Sequence, residues 1–120
     1  MIPPRWAAHH RREDHELLGY LRPVDALPGY FIPVTVFGYP LGAPTEEHRA
    51  RQCLERSGLA YLAQDWLLSL PDHPRPLAVQ IVEATPQHLR VKNIDYGYPD
   101  ANIGHVFVVD VPTTGQLRPR

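Results

Sequence analysis

The densest run of chemically capable side chains is Asp95-Tyr96-Gly97-Tyr98-Pro99-Asp100-Ala101-Asn102-Ile103-Gly104-His105, with two carboxylates, an amide, an imidazole and two phenols. Carboxylates and imidazoles can move protons in general acid–base catalysis, and Asp95, Asp100 and Asn102 could offer oxygen ligands to a hard cation. Their spacing lacks the alternate ligands and closing Glu of an EF-hand loop. The same residues also suit plain turn chemistry, in which Asp and Asn bond to nearby backbone and Pro99 fixes the bend. Because Tyr96 and Tyr98 are two residues apart, an extended segment would point both rings to one side and leave a gap at Gly97. Gly38-Tyr39-Pro40 repeats the Gly-Tyr-Pro of Gly97-Tyr98-Pro99, and Gly-Tyr occurs again at Gly19-Tyr20 and Gly29-Tyr30. A Tyr between a flexible Gly and a stiffening Pro can present its ring from a strand end, as binding loops do. The candidate ligand- or partner-binding residues are therefore Tyr39, Asp95, Tyr96, Tyr98, Asp100, Asn102 and His105.

Other reactive side chains lack a matching context. His9, His10 and His15 lie near Asp14, but adjacent strand residues point apart and no His-x-x-x-His spacing with a third ligand follows. They read as solvated histidines, and no metal site is expected. Cys53 shares a helical stripe with Ala50 and Leu54 and has no His beside it by local spacing, so it reads as a core cysteine. Ser57 and Ser69 are the only serines, and neither sits in a Gly-x-Ser-x-Gly elbow. Phosphate-cradling and dinucleotide glycine loops are missing as well, so no cofactor and no catalytic residue is assigned. Basic residues cluster at Arg11-Arg12, at Arg49, Arg51 and Arg56, and at Arg118 and Arg120. Glu13, Asp14, Glu46, Glu47 and Glu55 lie in the same neighbourhoods and argue against a nucleic-acid surface.

Positioning these groups requires a frame, and its clearest element is a helix over about 46–57. Thr45 is the expected N-cap, Glu46 and Glu47 suit the positive end of the dipole, and Gly58 suits the left-handed residue past the end. The remaining apolar runs read as strands: 17–22, 30–37, 66–70, 77–83, 89–94 and 106–111. Leu27-Pro28-Gly29 predicts a tight hairpin between the first two, and Pro33 places the second at an edge or a bulge. Short turns between strands argue for antiparallel pairing. The expected fold is α+β and mainly antiparallel β: a curved sheet or partly closed barrel of about six strands, with the helix capping one opening.

Length and composition bound the rest. A chain of 120 residues has room for one domain, and 43% apolar with 21% charged residues is ordinary globular usage. Residues 1–120 are expected to form a single domain, with loosely held ends at about 1–4 and 113–120. A formal charge of −1 provides no basic field for nucleic acid or an anionic membrane. One cysteine, no apolar leader and no long apolar run point to a cytoplasmic chain without a membrane partner. The leading expectation is a non-catalytic binding or assembly module that recognises a protein partner or a second copy through its Tyr-rich loops and an edge strand. The alternative is a small enzyme or ligand carrier with a polar site on the 95–105 connection.

Overall fold

In the computed structural model, which describes residues 1–99 and 102–120, the chain forms nine strands, one α-helix and one 3-10 turn. In order these are β1 (Ala7–His10), β2 (Leu17–Pro23), β3 (Tyr30–Val34), β4 (Thr45–Glu46), α1 (Glu47–Ser57), the 3-10 turn (Ala60–Leu62), β5 (Asp65–Leu68), β6 (Leu77–Ala84), β7 (Leu89–Asn93), β8 (Val106–Val109) and β9 (Leu117–Pro119). They assemble into an α+β structure with a four-stranded sheet, β1-β2-β3-β4, and a five-stranded sheet, β8-β7-β6-β5-β9. All pairings are antiparallel.

Local chemistry accounts for the hairpins. Tyr30 N–H donates to the Leu27 carbonyl at 3.0 Å, and Gly29 takes φ +82°, the left-handed value that the third residue of a type II turn needs. Pro33 sits opposite Leu21 of β2, and its carbonyl accepts from Leu41 N–H on the other side, at 2.8 Å. Its missing N–H therefore faces away from β2, beyond the end of the two-residue β4, where no ladder bond is lost. Between β6 and β7, Thr85 Oγ1 accepts from the N–H groups of Gln87 and His88 at 3.2 and 2.9 Å, which closes the turn.

The helix starts one residue later than its capping signal implies. Thr45 pairs with Phe31 in β4, Glu46 occupies the N-cap position in extended geometry, and no side chain caps it. At the other end Gly58, at φ +52°, donates its N–H to the Leu54 carbonyl as expected. Ala50 and Leu54 are the buried helical residues, and they meet Leu18 and Leu21 of β2 in a small core. Cys53, expected in that core, is half-buried and lies outside it.

The larger core lies on the other side of the four-stranded sheet. There the inward residues of the five-stranded sheet, including Trp66, Leu77, Val79, Leu89, Val91 and Leu117, pack with Val36, Phe37 and Tyr61. Phe37 stands edge-on to both Tyr61 and Trp66, at 5.7 and 5.6 Å. Leu17 and Tyr20 of β2 pack against this core while Leu18 and Leu21 serve the other. The molecule is thus layered as helix, four-stranded sheet and five-stranded sheet.

This corrects the expected single curved sheet or barrel: the sheets are two, and they are not closed into a barrel. The helix packs on the face of β2 and β3 instead of capping an opening. After α1, β5 to β8 pair in sequence order and β9 returns to the free side of β5, so these five strands form a sheet of their own. The two ends each bring an apolar side chain into the large core, Ile2 from the first and Leu117, through β9, from the second. No helix among the described residues is long and apolar enough to cross a membrane.

Candidate functional site

The inward face of β7 reads Leu89, Val91, Asn93, and the last of these organises the connection to β8. Buried Asn93 donates its backbone N–H to the His105 carbonyl at 2.9 Å and accepts from Gly104 N–H at 2.8 Å. Its side-chain Nδ2 donates to the Asn102 carbonyl at 3.0 Å, and its Oδ1 accepts from Asp95 N–H at 2.8 Å. One amide therefore holds both ends of the connection.

Asp95 turns its carboxylate back onto the chain. Its Oδ2 accepts from Arg75 Nη1 at 3.0 Å and from Ala78 N–H at 3.4 Å, and its Oδ1 accepts from Gly97 N–H at 3.2 Å. Desolvation raises the carboxyl's pKa, but the bonds from Ala78, Arg75 and Gly97 outweigh it, and the net shift is below the ordinary carboxylate value. A carboxylate so held stays ionised and is a weak base near neutral pH. Arg75 also donates through Nη2 to the Gly97 carbonyl at 3.2 Å and lies over the Tyr98 ring, 4.8 Å from its centroid. Tyr98 returns a bond from its hydroxyl to the Arg75 carbonyl at 3.0 Å.

The expected common orientation of the two tyrosines does not occur. Tyr98 N–H donates to the Asp95 carbonyl at 3.3 Å, so the segment turns. As a result Tyr98 is 6% exposed and joins the core, while Tyr96 is 88% exposed. His105 stays at the surface with its ring edge-on to Phe107 at 4.7 Å, and Asn102 is exposed beside it in sequence. Asp100 lies outside the described residues. Tyr39 is built elsewhere: Thr35 Oγ1 accepts its N–H at 3.0 Å, and its ring stands edge-on to Trp66 at 5.1 Å. It lines a groove of about 460 Å³ with Pro40, Gln64 and Pro119. The structure thus joins Asp95 and Tyr98 in a packed corner with Arg75, leaves Tyr96 and His105 outward, and sets Tyr39 apart.

One other expectation changes. His9 is not solvated: its Nε2 lies 2.9 Å from Glu55 Oε1 and its Nδ1 3.0 Å from Arg51 Nη1. Arginine can only donate, so Nδ1 accepts and the Nε2 proton goes to Glu55. Among the described residues no group of three His, Cys, Asp or Glu side chains could hold a metal ion.

The feature that site-directed sequence reasoning missed is the outer edge of the five-stranded sheet. The strand run at 106–111 was readable, but whether it had one neighbour or two was not. β8 is the terminal strand, with Val106 45% and Val108 70% exposed. Asn93 turns both backbone groups toward the β8 side, so by strand alternation Val91 and Leu89 do the same, opposite Phe107 and Val109. The N–H and C=O groups of Val106 and Val108 consequently point away from β7, along the sheet's free edge. Beside this edge runs a groove of about 570 Å³, with Phe107 and Val109 on one side and Leu68, Leu70 and Pro71 on the other. No protein-family model, curated protein or solved structure matches the chain.

Proposed function

We propose that the protein is a non-catalytic binding and assembly module that pairs with a second copy of itself through β8. The observation that supports this is the terminal strand with two exposed valines and outward-facing backbone groups, an arrangement that single-chain proteins ordinarily blunt with Lys, Pro or a covering segment. Two-fold antiparallel pairing centred on Phe107 sets Val106 of one copy opposite Val108 of the other. Each such pair exchanges both backbone bonds, and all four valines fall on one face as a continuous apolar strip. The nearest cations, Arg90 and Lys92, sit one strand inward, opposite Val108 and Val106. Across the pairing they are about 14 Å from their counterparts, three strand spacings, beyond the screening length of about 8 Å at physiological salt. Repulsion does not oppose the contact. Tyr96, on the connection leading into β8, is the exposed aromatic that suits partner contact; Tyr98 is occupied by Arg75.

The enzyme or ligand-carrier reading draws less support, because the oxygens of Asp95 are engaged by Arg75, Ala78 and Gly97. Sedimentation velocity and native mass measurement test the proposal. The parent chain is expected to be a dimer, and Val108→Lys a monomer whose stability changes by no more than about 0.5 kcal/mol, as for most exposed sites. A monomeric parent at its highest usable concentration, or a dimer that survives Val108→Lys, overturns it.

A further inference from the structure

A second groove, of about 430 Å³, runs along α1. Arg49, Gln52, Cys53 and Arg56 fall at i, i+3, i+4 and i+7, one face of the helix, and Pro33 and Gly42 form the opposite wall. The wall is low because residue 42 has no side chain: a Cβ there would stand 3.5 Å from Pro33 Cγ and 4.0 Å from Cys53 Sγ.

The acids of this region are paired with other side chains, one of which, His48, lines the groove beside Arg49. Glu47 bonds Arg51 at 3.1 Å, Glu55 bonds His9 at 2.9 Å, and Glu46 lies 3.5 Å from His48. Among the described residues Arg49 and Arg56 have no carboxylate partner. Arg49 also stands in the first turn of the helix, where the dipole opposes a cation. Glu46 and Glu47 answer the dipole in that turn but pair with His48 and Arg51, so Arg49 itself lacks a counterion that an anion in the groove would supply. The two arginines are seven residues apart, about 10 Å along the helix axis. The groove volume falls in the range of small-molecule sites, about 300–1,000 Å³.

We infer that this groove binds a small elongated molecule with an anionic group, phosphate or carboxylate, at each end, Arg49 holding one end and Arg56 the other. Guanidinium groups suit both chemistries through paired N–H donors. Gln52 lies between them as a donor to the middle of the ligand, and Cys53 forms the floor.

Cys53 is the only thiol in the chain and so reports occupancy directly. Its labelling by neutral dithiodipyridine is followed with increasing hexanediol bisphosphate, octanedioate or inorganic phosphate. Saturable slowing by at least about threefold with one or both of the doubly anionic-ended compounds, and weaker slowing by inorganic phosphate, is the expected result, since binding at both ends gains from effective concentration. Which of the two protects decides between phosphate and carboxylate. Arg49→Gln and Arg56→Gln should each remove the protection, and added salt should weaken it in the parent chain. No saturable protection by either elongated compound, or protection that persists in both variants, overturns the inference. Should either variant fold poorly, the salt titration on the unaltered chain decides instead: protection that salt leaves unchanged overturns the inference as well.

Discussion

Asn93 and Tyr61 show how much of the structure rests on single polar side chains placed inside it. Removing the amide in Asn93→Ala leaves the Asp95 N–H without its acceptor and takes from the Asn102 carbonyl one of two donors, the other being His105 N–H, and is expected to cost about 1–3 kcal/mol in urea denaturation. Tyr96→Ala, at the exposed turn, should change stability by less than about 0.5 kcal/mol; equal losses would mean that Tyr96 is structural. The Tyr61 hydroxyl accepts from Val36 N–H at 3.3 Å and donates to the Leu18 carbonyl at 3.2 Å. Burial pushes the phenol up to about 12 against the smaller opposing effect of the Val36 bond. The folded state thus holds the neutral form, so this contribution is complete below the ordinary value of 10.0 and is lost as pH rises from there toward about 12. Tyr61→Phe should flatten that alkaline limb while lowering stability at neutral pH. Asp95 behaves oppositely: its depressed carboxyl stabilises the fold above the ordinary carboxylate value, and the effect fades as pH falls through the folded value. Of these residues the sequence exposed only the types. Asn93 was detectable by its parity with Leu89 and Val91, which marks an amide facing a core that must satisfy it. Arg75, isolated between Pro74 and Pro76, had no periodic signal tying it to Asp95.

At the scale of elements, legibility followed locality. The hairpins at Leu27–Tyr30 and Thr85–His88 were readable because their turn residues dictate the geometry within four positions. The helix was readable from its stripe and from Gly58. β1, β4 and β9 were not: Ala7-Ala8-His9-His10, Thr45-Glu46 and Leu117-Arg118-Pro119 carry no strand pattern, and each is extended because a longer strand beside it offers bonding groups. The capping signal at Thr45 lost to pairing with Phe31 for the same reason. Gly19 marks how close the elements come. A Cβ there would lie 2.1 Å from the Val34 carbonyl oxygen and 3.0 Å from Leu54 Cδ2. Gly19→Ala must push β2 from β3 and α1, and is expected to cost about 1–3 kcal/mol or more, as overpacked cores do. Thermal denaturation checks it, and an unchanged midpoint would show that the sheet yields there without cost.

For the molecule as a whole, the division into two sheets depended on which strands meet across long stretches of chain, and neither composition nor periodicity encodes that. The outcome has a consequence for how the protein comes apart. Strand β2 presents Leu18 and Leu21 to the helix and Leu17 and Tyr20 to the large core, so neither layer can open fully while the other keeps its packing. Breathing of the native state should therefore be all-or-none, with the backbone amides of β2 exchanging with deuterium only through global unfolding. Leu54→Ala, expected to lower stability by about 2–5 kcal/mol, should then speed exchange at Val79 and Val91, in the sheet it does not touch, by the same free energy as in α1. Protection that falls in the helix alone would reveal two foldons joined at a seam; equal loss would make β2 the hinge pin of a single cooperative unit.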